Sequence, residues 1–449
     1  RIVSGFSANR RDGGQRCARK RQRMEKLEVK AGWKRTVRAL RSRNYRLYFG
    51  GQGVSLIGTW MQRIAMSWLV YRLTGSAFML GLIGFAGSVP SLILGPLAGV
   101  LSDRYNRRRM LIVTQCLALL QAFILALLVL GGQIAVWQIL VLGIVLGFIE
   151  AFDMPLRQSF MVEIVPKQDL GNAIALNSSM VNSSRLLGPS IAGVLIASMG
   201  EGMCFLLNSI SYLAVIASLL AMRVPQEQVS NREFHILGEL REGFVYAYNF
   251  VPIRSVLMLL ALVSLVGMPY SVLMPVFARD VLHGGPHTLG FLLGASGVGA
   301  LAGAIYLAAR KSILGMGRWI ALAAGIFGAG LIAFSLSRVF WLSLLLMLVT
   351  GFGMIVQMAS SNTVLQTIVD EDKRGRVMSF YAMAFRGMVP FGNLLAGIMA
   401  NRLGAPLTLM IGGGCCVVGS VFFARNLPAM RDMVRPIYRR MGIFSDENM

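Results

Sequence analysis

Five ionisable residues interrupt stretches that are otherwise apolar: Arg63, Glu150, Asp153, Arg185 and Arg386. A charge held in hydrocarbon is costly, so each needs a partner or a task. Glu150 and Asp153 are three residues apart, so one helix presents both on the same face. Burial and a like charge each favour the protonated form of such a pair. A carboxyl poised between its two protonation states can carry a proton, and Glu150, one turn deeper, is the better candidate. The alternative is a static ion pair with an arginine. Arg386 is the cation nearest Glu150 in depth; Arg63 and Arg185 lie further out and are weaker partners. Three deep arginines against two acids favour an anionic or phenolic ligand, unless they only neutralise Glu150 and Asp153. Arg157 and Arg254 stand at helix ends, where snorkelling to the interface accounts for them. Asn177, Asn182, Gln357 and Asn362 would line a pathway or tie helices together. The abundant methionines, 27 in all, suit an adaptable apolar surface but serve mostly as packing.

Other chemistries find no residues. The three histidines (His235, His283, His287) fall in expected loops, and none of the five cysteines has metal-ligand spacing. Cys116, Cys204, Cys415 and Cys416 lie in apolar runs and read as core thiols, whereas Cys17 lies in the basic start. No Gly-rich loop ending in Lys-Ser or Lys-Thr offers a phosphate cradle. The expectation is no enzyme, no cofactor and no metal. The net charge of +24 suggests nucleic acid at first sight. Its distribution does not: residues 1–46 hold 16 of the 44 Lys and Arg. Cationic loops beside a membrane are the better reading. The chain begins at Arg, and residues 1–23 lack the apolar stretch of a signal peptide; Met24 is an alternative start.

The elements that must hold these residues are long apolar helices. The chain has 449 residues, 55% hydrophobic and only 14% charged, with mean hydropathy +0.63. Soluble domains carry about 25% charged residues. Twelve spans fit, at 48–71, 79–101, 110–131, 134–156, 171–199, 203–222, 254–278, 288–308, 319–337, 340–366, 377–401 and 405–424. This divides the chain into a basic N-terminal segment (1–47), a six-helix half (48–222), a linker (223–253), a second half (254–424) and a tail (425–449). In the linker Ile236, Leu237, Leu240, Phe244, Val245 and Tyr248 recur at helical spacing, as in an amphipathic helix at the interface. With the N-terminus inside, inner loops hold 15 Lys and Arg and outer loops only Arg72, Arg279, Arg338 and Arg402. Both termini are therefore expected in the cytoplasm.

The chain also repeats itself. Shifted by 204 residues, 143–200 aligns on 347–404 without a gap. Gly147 meets Gly351, Gly171 meets Gly375, Gly188 meets Gly392, Gly193 meets Gly397, and Gly200 meets Gly404. The repeat relates spans 4 and 5 to spans 10 and 11 in the same orientation. Parallel six-helix repeats are the plan of major facilitator transporters, whose sites lie between the halves near the midplane. Gly188 and Pro189 permit a kink in span 5, and Ala192 and Gly193 allow a helix to approach closely.

The loop after span 2 reads Gly99-Val-Leu-Ser-Asp103-Arg104-Tyr-Asn106-Arg107-Arg108-Arg109. It resembles the major facilitator signature G-x-x-x-D-R-x-G-R-R, with Asn106 at the Gly position, where both residues tolerate a left-handed turn. Arg185-Leu-Leu-Gly188-Pro189-Ser-Ile-Ala192-Gly193 is similar to the span 5 element of export-type members. Asn44-Tyr-Arg-Leu-Tyr-Phe, Asp153-Met-Pro-Leu-Arg157 and Asn172-Ala-Ile-Ala-Leu-Asn177 resemble the bacterial branch that includes the enterobactin exporter. The second-half counterpart, Ala309-Arg310-Lys311, lacks the Asp. The resemblance implies an all-α polytopic fold of twelve helices in the bacterial inner membrane, expected as a monomer in the bilayer. It implies proton-coupled export of an amphipathic small molecule, a siderophore or drug. The alternatives are an uptake permease for a metabolite or lysolipid and a non-transporting scaffold. It further implies a cytoplasmic gate of Asp103, Arg104, Arg107, Arg108 and Asp153, with Asp153 paired to Arg104 or Arg107.

Overall fold

The computed structural model describes residues 38–224, 245–310 and 312–441, without the side chains of 96 and 99–104. Among the described residues there are twelve long helical segments and no strand. The first half comprises α1 (Arg43–Thr74), α2 (Ala77–Arg104), α3 (Arg107–Leu130), α4 (Val136–Ile164), α5 (Leu170–Met199) and α6 (Glu201–Ala221). The second comprises α7 (Val251–Val281), α8 (Pro286–Ala309), α9 (Met316–Leu336), α10 (Phe340–Ile368), α11 (Arg374–Leu403) and α12 (Ala405–Arg440). Ten are long and apolar enough to cross a membrane by length and composition. The other two, α1 and α5, carry the polar runs around Gln62-Arg63 and Asn177–Arg185, because each turns a face away from lipid. The loops starting at 103, 165, 309 and 369 share the basic face of the bundle with the described chain ends; Gly75, Gly200 and Gly404 lie at the far face.

The internal repeat is visible as repeated contacts. Gly193 packs on α8, where an added Cβ would lie 2.9 Å from Gly290 Cα and 2.8 Å from the Pro286 carbonyl oxygen. Its equivalent, Gly397, packs on α2 with the same 2.9 Å to Gly81 Cα. These two crossings join the halves near the far face. Gly188 rests against Trp60 of α1, and its equivalent Gly392 rests against Leu265 of α7. Gly200 and Gly404 each turn the chain at positive φ, 82° and 85°. Gly188 and Pro189 sit inside one uninterrupted helix. We expect Gly193→Val to prevent the far face from closing, since its Cβ has no room. A cysteine at Leu80, now 4% exposed, should then react with an impermeant thiol reagent in an otherwise cysteine-free chain; unchanged labelling would show that this crossing yields.

Several boundaries differ from the sequence reading. The last span does not stop at 424; α12 runs on to Arg440. Leu427, Met430, Val434 and Ile437 recur at helical spacing and pack against the second-half core, which carries the helix past its basic residues. Similarly, α4 continues to Ile164 rather than 156. Asn106 is not left-handed. Its φ is −63°, and its side chain caps α3 by accepting from the Arg109 backbone N–H at 3.0 Å. In the linker, Ile236, Leu237, Leu240 and Phe244 lie outside the described residues; Val245 and Tyr248 belong to a helical turn at 245–249 and are exposed. Tyr246 of that turn donates to Asp370 at 3.2 Å, and Lys373 lies over its ring at 4.6 Å, tying the linker to the second half.

Candidate functional site

The deep charges gather between the halves. Glu150 is the central residue of the 29-residue α4, nearer mid-membrane than the shorter span suggested. Its partner is Arg63 of α1, not Arg386. Arg63 Nη2 donates to both carboxylate oxygens, at 2.6 and 2.7 Å. The long guanidinium arm closes the difference in depth, and both helices belong to the same half. Side-chain exposures of 45% and 30% show that the pair faces open space.

Trp60 stands one turn before Arg63. The Arg63 guanidinium lies 5.4 Å from its ring centre, and that of Arg185, from α5, lies 5.7 Å from the same ring. Arg185 also reaches across to the second half, with its Nη2 3.6 Å from Met354 Sδ on α10. Arg386 reaches the opposite way, from α11 to Met154 Sδ of α4. It sits on a π-helical turn, Met383–Gly387, a local expansion that recurs at functional positions.

Asp153 is built differently. It is 2% exposed and turns toward α3, accepting from Thr114 Oγ1 at 3.0 Å and Gln115 Nε2 at 2.6 Å. Its ion-pair partner is Arg157, one turn on. This corrects the expectation for Arg157. Arg157 does not snorkel, because α4 extends past it and leaves it inside. Of the two loop partners expected for Asp153, Arg107 meets Glu163 at 3.6 Å, and the side chain of Arg104, like that of Asp103, lies outside the described residues. Arg108 caps the end of α6 through the carbonyls of Leu219 (2.7 Å) and Leu220 (3.0 Å). Among the described residues, Asp153 and Arg108 thus bond within their own half.

The halves meet toward the far face, where Gly193 packs on Gly290 and Gly397 on Gly81. At the far end, Tyr71 of α1 donates to Asp280 of α7, with Arg279 5.9 Å over the Tyr71 ring. Beside them Arg72 pairs with Glu201 at 2.7 Å. At the basic face a cleft of about 690 Å³ lies within the second half, between Asn362, Thr363, Gln366 and Thr367 of α10, Arg374 of α11 and Met441 beyond α12. Asn362 accepts from Gln366 at 3.0 Å, whereas Gln357 is buried against Ser361 and Asn182 bonds back to its own helix.

Sequence reasoning missed a buried amide chain behind Arg63. Asn208 of α6 donates to Gln62 (2.7 Å), Gln62 to Gln121 of α3 (2.9 Å), and Gln121 to the Leu142 carbonyl (3.1 Å). All three amides are at most 2% exposed. The signal was available, since amides inside apolar spans must satisfy one another. The Tyr71–Asp280 contact left less trace, because Asp280 reads as an ordinary loop acid. The four described cysteines are free thiols. Among the described residues no group of three or more His, Cys, Asp or Glu could hold a metal.

The family described as "Transmembrane secretion effector" matches residues 35–438, nearly the whole chain. The chain belongs to this family. The transporter is 26% identical to the staphyloferrin A transporter of Staphylococcus aureus, over 82% of its own length and 92% of that protein's. It is 23% identical to macrolide efflux protein A of Streptococcus pyogenes, over 82% and 93%. A crystallised POT family transporter in complex with 5-aminolevulinic acid superposes with TM-score 0.68 at 12% identity, covering 87% of this chain and 97% of that one. That likeness establishes the twelve-helix major facilitator fold alone. The protein is a multi-pass membrane transporter of that superfamily and not an enzyme.

Proposed function

We propose that the transporter exports an amphipathic small molecule in exchange for protons, with the Arg63–Glu150 pair as the coupling device. The observation that carries this is an ion pair at the centre of α4, inside the space between the halves and open to solvent. A carboxylate there can take a proton only by giving up Arg63, so protonation and the arrangement of the helices are linked. The Tyr71–Asp280 contact latches the far face, and on this reading the cavity opens to the basic face. Substrate enters there; closing the basic face and releasing Tyr71 from Asp280 opens the other side, where Glu150 meets the outer proton supply. Efflux relatives support the export direction. Proteoliposomes or inside-out vesicles, acid inside, should concentrate a substrate from a panel of amphipathic compounds and stop doing so when the gradient is collapsed.

The basic face is assigned to the cytoplasm of a bacterial inner membrane, because its loops carry 15 Lys and Arg against four on the other side. A reporter fused after Gly200 should lie outside, and one after Met449 inside. Both reporters on one side would overturn the twelve-span orientation. We take the working unit as a single chain in the bilayer.

A further inference from the structure

We propose that the substrate is an amphipathic dianion, bridging Arg185 of one half and Arg386 of the other across a bed of Trp60, Met154 and Met354. This rests on the reading of the cavity as the transport site and adds the charge of what fills it. Arg63 is satisfied by Glu150, and Arg157 by Asp153. Arg185 and Arg386 are not: among the described residues neither has a carboxylate within ion-pair distance, and each ends on a methionine sulfur. A thioether is a weak acceptor that returns little to a guanidinium. Glu150 lies within the field of Arg386 but directs both oxygens at Arg63. The cavity thus keeps two guanidinium groups that, among the described residues, have no carboxylate partner of their own.

Their placement argues for two acidic groups rather than one. The helices α5 and α11 are repeat equivalents, and Arg386 stands about one turn from the position matching Arg185. Each half therefore offers one guanidinium from the corresponding helix, and each guanidinium already reaches into the opposite half. The Trp60 ring is shared by Arg63 and Arg185, and one soft thioether stands at each guanidinium, Met354 at Arg185 and Met154 at Arg386. Aromatic and thioether surfaces suit a flat or flexible apolar body. Closing the basic face would trap these cations away from water, which is costly for an empty cavity or a neutral guest. A dianion removes that cost, so occupancy itself favours closure. Guanidinium–carboxylate recognition is planar and two-pronged, which a lysine reproduces only in part.

The test is calorimetric binding to the full chain in lipid nanodiscs at neutral pH, without any gradient. Three probes share one ring system: naphthalene dicarboxylate, naphthoate and naphthalene dicarboxamide. The dicarboxylate should bind about tenfold tighter than naphthoate, the worth of one added charge-assisted contact, and the dicarboxamide weakest. Arg185→Gln and Arg386→Gln should each reduce the dicarboxylate to the affinity of naphthoate, with Arg185→Lys and Arg386→Lys in between. Arg402→Gln, at the exposed far face, should change nothing. The lysine variants retain the charge and serve where a glutamine variant does not fold. The proposal is overturned if the dicarboxamide binds as tightly as the dicarboxylate, if none of the probes binds, or if Arg402→Gln weakens binding as much as Arg185→Gln. Because no gradient is applied, such a result leaves proton-driven export standing. Loss of gradient-driven flux with dicarboxylate binding intact would remove the export reading instead.

Discussion

Glu150→Gln should abolish gradient-driven accumulation while leaving substrate counterflow intact. A pH difference of about one unit supplies about 1.4 kcal/mol per proton, enough for about tenfold accumulation at one proton per substrate. The glutamine keeps the size and hydrogen-bonding capacity of a protonated Glu150 but can neither release a proton nor hold Arg63 as an ion pair. The cavity should still bind and exchange substrate, because Arg185 and Arg386 are untouched. Uphill transport should fall to the equilibrium level. Arg63→Gln should also impair coupling, but for another reason: it leaves an ionised carboxylate at mid-membrane without its partner. Both fluxes are measured in the same proteoliposomes. Accumulation by Glu150→Gln in response to a pH gradient would place the coupling elsewhere.

Asp153→Asn should instead destabilise the fold and lower uphill flux and counterflow together. The carboxylate is buried, paired with Arg157 and bonded to Thr114 and Gln115. Removing one member of a buried pair leaves the other charge uncompensated, at about 3–5 kcal/mol. The introduced amide would still accept from Thr114 and Gln115, so the loss isolates the ionic part. The double variant Asp153→Asn/Arg157→Met removes both charges and should recover most of the stability, a non-additivity expected of direct partners. Thermal unfolding in detergent reads the effect. If Asp153→Asn melts like the wild type and fails only in coupling, Asp153 is the proton carrier and not a structural anchor.

The repeat was legible because its glycines sit where helices touch. Gly193 and Gly397 face a neighbouring backbone at about a Cβ's distance, so no other residue type fits and the spacing of 204 persists in both halves. Ion-pair partners were less legible. Three-residue spacing shows that Glu150 and Asp153 share one helix, but not which neighbours stand opposite them. In the fold Glu150 opens to the cavity and α1, whereas Asp153 is sealed against α3. Four-residue spacing carries the Asp153–Arg157 pair, but ending span 4 at 156 hides it by making Arg157 look terminal. The same kind of error shortens α12, where basic residues conceal the apolar stripe from Leu427 to Ile437. Polar α1 and α5 escape a hydropathy criterion because their polar faces serve the interior and the cavity. That polarity was itself the trace of the site: Gln62, Arg63 and Arg185 all lie on these two helices.

The most direct measurement follows protons and substrate together. Proteoliposomes holding a pH-sensitive dye are given substrate at the basic face with no imposed gradient. Wild-type protein should move protons opposite to the substrate in fixed proportion, and Glu150→Gln should exchange substrate with no proton movement. Proton movement by Glu150→Gln in that same proportion would contradict the assignment of Arg63–Glu150 as the coupling pair.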